Sequence, residues 1–149
     1  MISLLLVEPD AIVAARFVAT LPPGVDVEVM AEFRAARARL LERPPQLLVT
    51  AWRLCNYNGL HLAYLAAGAH LPTRSIVYTD VENPAVARES RIAGAFYEVR
   101  PRLAMSLPSY ATGTLPPADR RDGIRADRRQ TMRGGRRAYD DPRPALHER

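Results

Sequence analysis

The chain has 149 residues, 48% of them hydrophobic and 25% charged, and a formal net charge of +5. That length and apolar content suit one ordinary domain with a packed core, and a single cysteine, Cys55, excludes an internal disulfide framework or a multi-cysteine zinc site. The charge is uneven: every basic residue is an arginine, residues 1–109 hold 11 of them against 10 acids, and residues 110–149 hold 10 against 6. The pattern describes a nearly neutral domain with a basic appendage.

The first apolar run, Ile2 to Val7, is broken only by Ser3 and ends at Glu8. It is too short to span a bilayer. It also lacks the basic leader and small-residue cleavage site of a secretory signal, so a cytoplasmic protein without a membrane partner is expected. Within it, Leu4-Leu5-Leu6-Val7 reads as a strand buried on both faces. Asp10 then suits the N-cap of a helix to about Thr20, with Val13, Phe17 and Leu21 along one side, and Leu21-Pro22-Pro23-Gly24 stops it. Val25 to Val29 alternates with period two, as an edge strand does. Ala31 to Leu41 returns to a helical pattern, closed by Pro44-Pro45.

The theme then repeats. Leu47-Leu48-Val49-Thr50 reads as a third strand, Asn56 to Gly59 as a polar turn, and Leu60 to about Ala69 as a helix. Ser75 to Thr79 is a fourth strand. Asn83 with Pro84 after it opens a helix to about Ala93, Gly94 ends it, and Ala95 to Val99 is a fifth strand. Arg102 to about Leu115 carries Leu103, Leu107, Ala111 and Leu115 at helical spacing, with Pro108 expected to kink or break that helix. Five strands alternating with five helices predict an α/β domain, a doubly wound parallel sheet with helices on both faces. Such sheets place their sites at the carboxyl ends of the strands.

Five segments there resemble the receiver domain of bacterial response regulators over roughly residues 1–115. They are Leu4-Leu5-Leu6-Val7-Glu8, Pro45 to Leu54, Asn58-Gly59-Leu60, Ile76-Val77-Tyr78-Thr79 and Gly94 to Pro101. The resemblance implies a flavodoxin-like sheet of order 2-1-3-4-5. It also implies a chemistry: an aspartate after the third strand takes a phosphoryl group, and two acids after the first strand help it hold Mg²⁺. A hydroxyl on the fourth strand and a lysine on the fifth then sense the phosphoryl oxygens.

Carried onto this chain, the acidic pair falls on Glu8 and Pro9, the acceptor on Ala51, the hydroxyl on Thr79 and the lysine on Arg100. Ala51 has no nucleophile, and no Asp or Glu stands between Arg43 and Thr79 to replace it. The chain therefore looks like a degenerate receiver, a pseudo-receiver with a vestigial phosphorylation site and no cofactor. The family's partner surface falls on Tyr97, Arg100 and Arg102, which implies a protein partner, a kinase or a regulator, in two-component or phosphorelay signalling.

Other candidates stand beside this reading. Glu8, Asp10 and Asp80 are weak candidates for a substitute cation site, against helix capping for Asp10 and a solvated loop for Asp80. The emptied pocket could take a small ligand. Cys55 lies near it without a resolving cysteine or a recognisable base, and Trp52 and Tyr57 flank Cys55 as pocket-lining or packing residues. His61, His70 and His147 lack ligand spacing. No catalytic triad, phosphate loop or useful carboxylate pair is recognisable, so no enzyme is expected. From Pro116 to Arg149 the composition turns to Arg, Pro, Gly and Asp, which predicts a disordered tail. Its Arg133-Gly134-Gly135-Arg136 element supports an alternative, a nucleic-acid-binding regulator, which the six interspersed acids weaken.

Overall fold

The short apolar runs become the strands of one parallel sheet. The structure, a computed structural model, describes residues 1–113. In chain order these form β1 (Ile2–Val7), α1 (Ala11–Thr20), β2 (Val25–Met30), α2 (Phe33–Glu42), β3 (Leu47–Ala51), the two-residue strands β4 (Arg53–Leu54) and β5 (Tyr57–Asn58), α3 (Leu60–Gly68), β6 (Arg74–Thr79), α4 (Pro84–Ile92), β7 (Phe96–Val99) and α5 (Arg100–Thr112). The main sheet runs β2-β1-β3-β6-β7 with every pair parallel. This is the expected 2-1-3-4-5 order, because the fourth and fifth strands read from the sequence are β6 and β7.

The strand sequences explain their places. All five residues of β3 are buried, as a central strand covered on both faces requires. β2 leaves Asp26 and Val29 exposed and takes the edge. Asp10 caps α1 by accepting from the Ile12 and Val13 N–H groups, and Asn83 caps α4 by accepting from Val86. On one face, Leu4, Leu6, Val49 and Ile76 share a core with Phe17 of α1 and Leu103 and Leu107 of α5. Full burial of each such side chain contributes roughly 1.5–3 kcal/mol. On the other face, Val77 packs with Leu60 and Ala63 of α3 and Val86 of α4, against which Trp52 and Tyr97 lean.

Two local expectations are corrected. α5 starts at Arg100 and continues through Pro108 to Thr112 without a break. Its buried stripe of Leu103, Leu107 and Ala111 holds both sides of the proline against the sheet, which offsets the backbone bond that Pro108 cannot make. The turn expected at Asn56–Gly59 is part of a small antiparallel hairpin, β4 against β5, with Arg53 opposite Asn58 and Leu54 opposite Tyr57. Among the described residues no helix is long and apolar enough to cross a membrane. The tail reading and its nucleic-acid alternative rest on residues 116–149, outside the described residues.

Candidate functional site at the carboxyl edge of the sheet

The pairing register aligns three strand ends into one row. Val7 pairs with Thr50, so Glu8 follows beside Ala51, and Ala51 pairs with Tyr78. Side chains in register on a parallel sheet share a face, so Glu8 and Tyr78 flank the Ala51 methyl. The Tyr78 hydroxyl passes over that methyl and donates to Glu8 Oε2 at 2.5 Å. Both partners are buried, Glu8 at 8% exposure and Tyr78 at 2%, and the Tyr78 ring lies edge-on to Phe17 at 5.1 Å. A small residue at 51 leaves the phenol this path. The acceptor position of the resemblance is thus bridged by a tyrosine–carboxylate pair.

The electrostatics follow from that burial. Loss of solvent raises the Glu8 carboxyl above its ordinary value; the Tyr78 bond and the Asp10 backbone lower it, and the Asp80 and Asp10 charges raise it. Burial first, and then the bond to Glu8, push the Tyr78 phenol far above its usual range. The phenol keeps its proton and acts as the donor.

On the opposite face of the sheet Thr79 and Tyr97 form a second unit. Thr79 Oγ1 donates to the Val81 carbonyl at 2.7 Å and lies 2.5 Å from the Tyr97 hydroxyl, which accepts from the Asn83 N–H at 2.9 Å. A threonine hydroxyl has one proton. With that proton on Val81, Tyr97 must donate to Thr79. The bonds then run in one direction, from Asn83 N–H through Tyr97 and Thr79 to Val81, an arrangement in which each polarises the next. Tyr97 is drawn in against Thr79 and the N-terminal end of α4.

Gly59 fixes the rim. A Cβ there would lie 2.0 Å from the Ala51 carbonyl oxygen and 2.7 Å from Thr50 Oγ1, while the Gly59 N–H donates to Trp52 O at 2.7 Å. Only glycine lets the β4–β5 hairpin fold back this closely on the end of β3. The resulting cleft, about 380 Å³, is lined by Glu8, Pro9, Asp10, Ala51, Trp52, Arg53, Tyr78, Thr79, Asp80, Val81 and Asn83. Arg53 lies over the Trp52 ring, 4.9 Å from its centroid.

The Mg²⁺ that the resemblance implies does not fit these donors. Glu8 is engaged by Tyr78, Pro9 and Ala51 offer no side-chain oxygen, and Asp10 is spent on its helix cap. Asp80 pairs with Arg100 at 3.4 Å. Among the described residues no cluster of three or more His, Cys, Asp or Glu side chains could hold a metal ion. Glu8, Asp10 and Asp80, the weak candidates for a substitute cation site, line the cleft without forming such a cluster. Arg100 does not line the cleft, and Arg102 faces Glu82 at 3.8 Å. Cys55 sits exposed in the hairpin turn with φ of 56° and is not among the residues that line the cleft.

Comparison with solved structures settles the architecture. The receiver domain of a putative Luxo repressor protein from Vibrio parahaemolyticus matches at TM-score 0.66 and 20% identity, over 74% of this chain and 89% of that one. The response regulator domain of Thermotoga maritima CheB matches at 0.65 and 19%, over 78% and 99%. The Mn²⁺-bound form of response regulator Rcp1 matches at 0.68 and 17%, over 78% and 99%. This chain has the receiver fold. No family model matches it, and no curated protein does.

Within that receiver fold, Glu8, Pro9, Ala51 and Thr79 line one cleft, Arg100 lies outside its lining, and Tyr97 contacts it only through Thr79. Sequence reasoning missed Tyr78. Its signal was available in outline, as a polar-tipped aromatic at the end of a buried strand, but its partner is 70 positions away.

Proposed function

We propose that this domain is a signalling module of the two-component type that works by protein–protein contact without aspartyl phosphorylation. The observation that carries the reading is the Tyr78–Glu8 bridge over Ala51. The place of the phosphoacceptor holds a methyl group, and the nearest carboxylate is already paired inside the protein. The domain then contributes binding and no catalysis, in a cytoplasmic pathway with a kinase or regulator as partner.

The Asn83–Tyr97–Thr79–Val81 chain gives such a module a means of responding. A partner that draws Tyr97 outward must break the bonds to Thr79 and Asn83. A well-formed bond contributes about 0.5–1.5 kcal/mol, a modest barrier that binding energy can meet.

Intact mass measurement after incubating the full chain with acetyl phosphate and Mg²⁺ tests the reading. No phosphoryl adduct is expected. A stoichiometric adduct that is stable in acid and lost in base would overturn it.

A further inference from the structure

The α2–α3 side of the domain leaves parts of several aromatic and basic side chains facing solvent, although Phe33 and Leu65 also pack against the core. Between the two helices runs a groove of about 670 Å³, open to solvent, with Phe33, Arg37, His61, Tyr64, Leu65 and Gly68 along it. Phe33 forms its apolar end. Its ring stacks on Tyr57 of the hairpin at 4.8 Å and 7°, and His61 meets it edge-on at 6.3 Å. Tyr64 is 38% exposed although its hydroxyl is tied to Glu89 at 2.9 Å, so the ring presents an apolar face with its polar end already satisfied. A Cβ at Gly68 would meet nothing within 4 Å, which leaves the far end clear.

The Glu89 carboxylate touches this groove through the Tyr64 hydroxyl, while the groove's own lining carries a cation. No carboxylate lines it. Arg37 is exposed and has no hydrogen bond or ion pair among the described residues. One turn earlier on α2, Arg34 is exposed and uses only its Nε, on the Tyr57 hydroxyl at 3.2 Å. The surface expected from the resemblance is different: Arg100 faces Asp80, Arg102 faces Glu82, and the hydroxyl of half-buried Tyr97 is bonded to Thr79 and Asn83.

We propose that the α2–α3 groove is a docking surface for an acidic amphipathic helix of a partner protein. This rests on the reading of the domain as a binding module and assigns that module its contact face. From His61 to Ala69 the groove follows roughly 12 Å of helix, about two turns. Two turns present apolar anchors at i, i+4 and i+7, which suit Phe33, Tyr64 and Leu65, and leave room for flanking carboxylates opposite Arg34 and Arg37. Aromatic and arginine side chains are the types that dominate interface cores. An unpaired guanidinium beside them favours an acidic partner and repels a basic one.

The test uses a fluorescein-labelled helical peptide with Leu, Phe and Leu at i, i+4 and i+7 and Glu elsewhere, titrated into the full chain and read by anisotropy. A second peptide carries Lys in place of Glu. The acidic peptide is expected to bind, to weaken roughly tenfold in Arg37→Glu and in Tyr64→Ser, and to be unaffected by Arg102→Glu. Thermal unfolding of each variant confirms that it is folded. The proposal is overturned if the acidic peptide does not bind or if the Lys peptide binds as tightly. It is also overturned by binding that Arg37→Glu leaves intact, which puts the peptide on the arginine-rich residues beyond 113. The acetyl phosphate experiment is independent of this one. An adduct there removes the phosphorylation-independent reading while the titration still reports on the groove.

Discussion

The two faces of functional interest differ in how far the chain satisfies its own side chains. At the carboxyl edge of the sheet nearly every polar group has an internal partner: Glu8 with Tyr78, Asp10 with the start of α1, Thr79 with Tyr97 and Val81, and Asp80 with Arg100. Along the α2–α3 groove, Arg37 has none among the described residues, and Phe33 and Tyr64 show ring surface to water. A region that answers its own charges is stable and unresponsive to small ions. One that does not is where a partner adds the most. In a receiver fold the first is the expected reactive centre, and here the contrast is reversed.

Changes at the edge should therefore cost stability, and changes in the groove should not. The largest effect is expected from Tyr78→Ala, which removes a buried ring and leaves Glu8 without its donor: about 4–5 kcal/mol in urea unfolding. Gly59→Ala comes next, because its Cβ meets the Ala51 carbonyl. A loss of about 2–3 kcal/mol is expected in the same assay, and wild-type stability would show that the hairpin packs less closely than described.

Alkaline pH probes the bridge without mutation. The Tyr78 phenol ionises near pH 10 in the unfolded chain and at higher pH in the folded one. Its contribution is complete below pH 10 and is lost as pH rises toward the folded value, at about 1.4 kcal/mol per pH unit. Tyr78→Phe should remove that part of the alkaline slope, and an unchanged slope would place the loss on other tyrosines. Glu8 has the same sign at acid pH. Its raised carboxyl favours the folded state below its ordinary value of 4.5, and this contribution fades as pH rises through the folded value.

Tyr97→Phe breaks the directed chain of bonds to Thr79 and Asn83 and should cost about 1 kcal/mol. The smallest effect is expected from Arg37→Glu, within about 0.5 kcal/mol of the parent chain by thermal unfolding. A larger destabilisation there would show that Arg37 holds the fold together, and the contrast between the two faces would weaken.

The legibility of these features in the sequence follows their range. Leu4 to Val7 and Leu47 to Thr50 announce buried strands because burial on both faces demands an unbroken apolar run. The sheet order came from the family resemblance those strands carry and not from the runs alone. The caps at Asp10 and Asn83 are local hydrogen bonds and were read correctly. The β4–β5 hairpin escaped because two-residue strands carry no period. The bridge escaped for a different reason. Nothing near Ala51 says that its neighbours across two strand pairs are Glu8 and Tyr78; only the register brings them to one row. Arg100 was read as the family's cation beside the acceptor, and its turn toward Asp80 depends on loop geometry that sequence spacing does not specify. The groove was equally hidden, since Phe33, Tyr57 and His61 meet only after α2, the hairpin and α3 have packed.

The most direct test of the closed edge uses Trp52, which lines the cleft and is the chain's single tryptophan. Its fluorescence should not change saturably as Mg²⁺ is raised into the millimolar range, with or without a phosphodonor, because Glu8 is held by Tyr78 and Ala51 offers no side-chain oxygen. A saturable change that disappears in Glu8→Gln would contradict this, showing a carboxylate available to a cation at the end of β1.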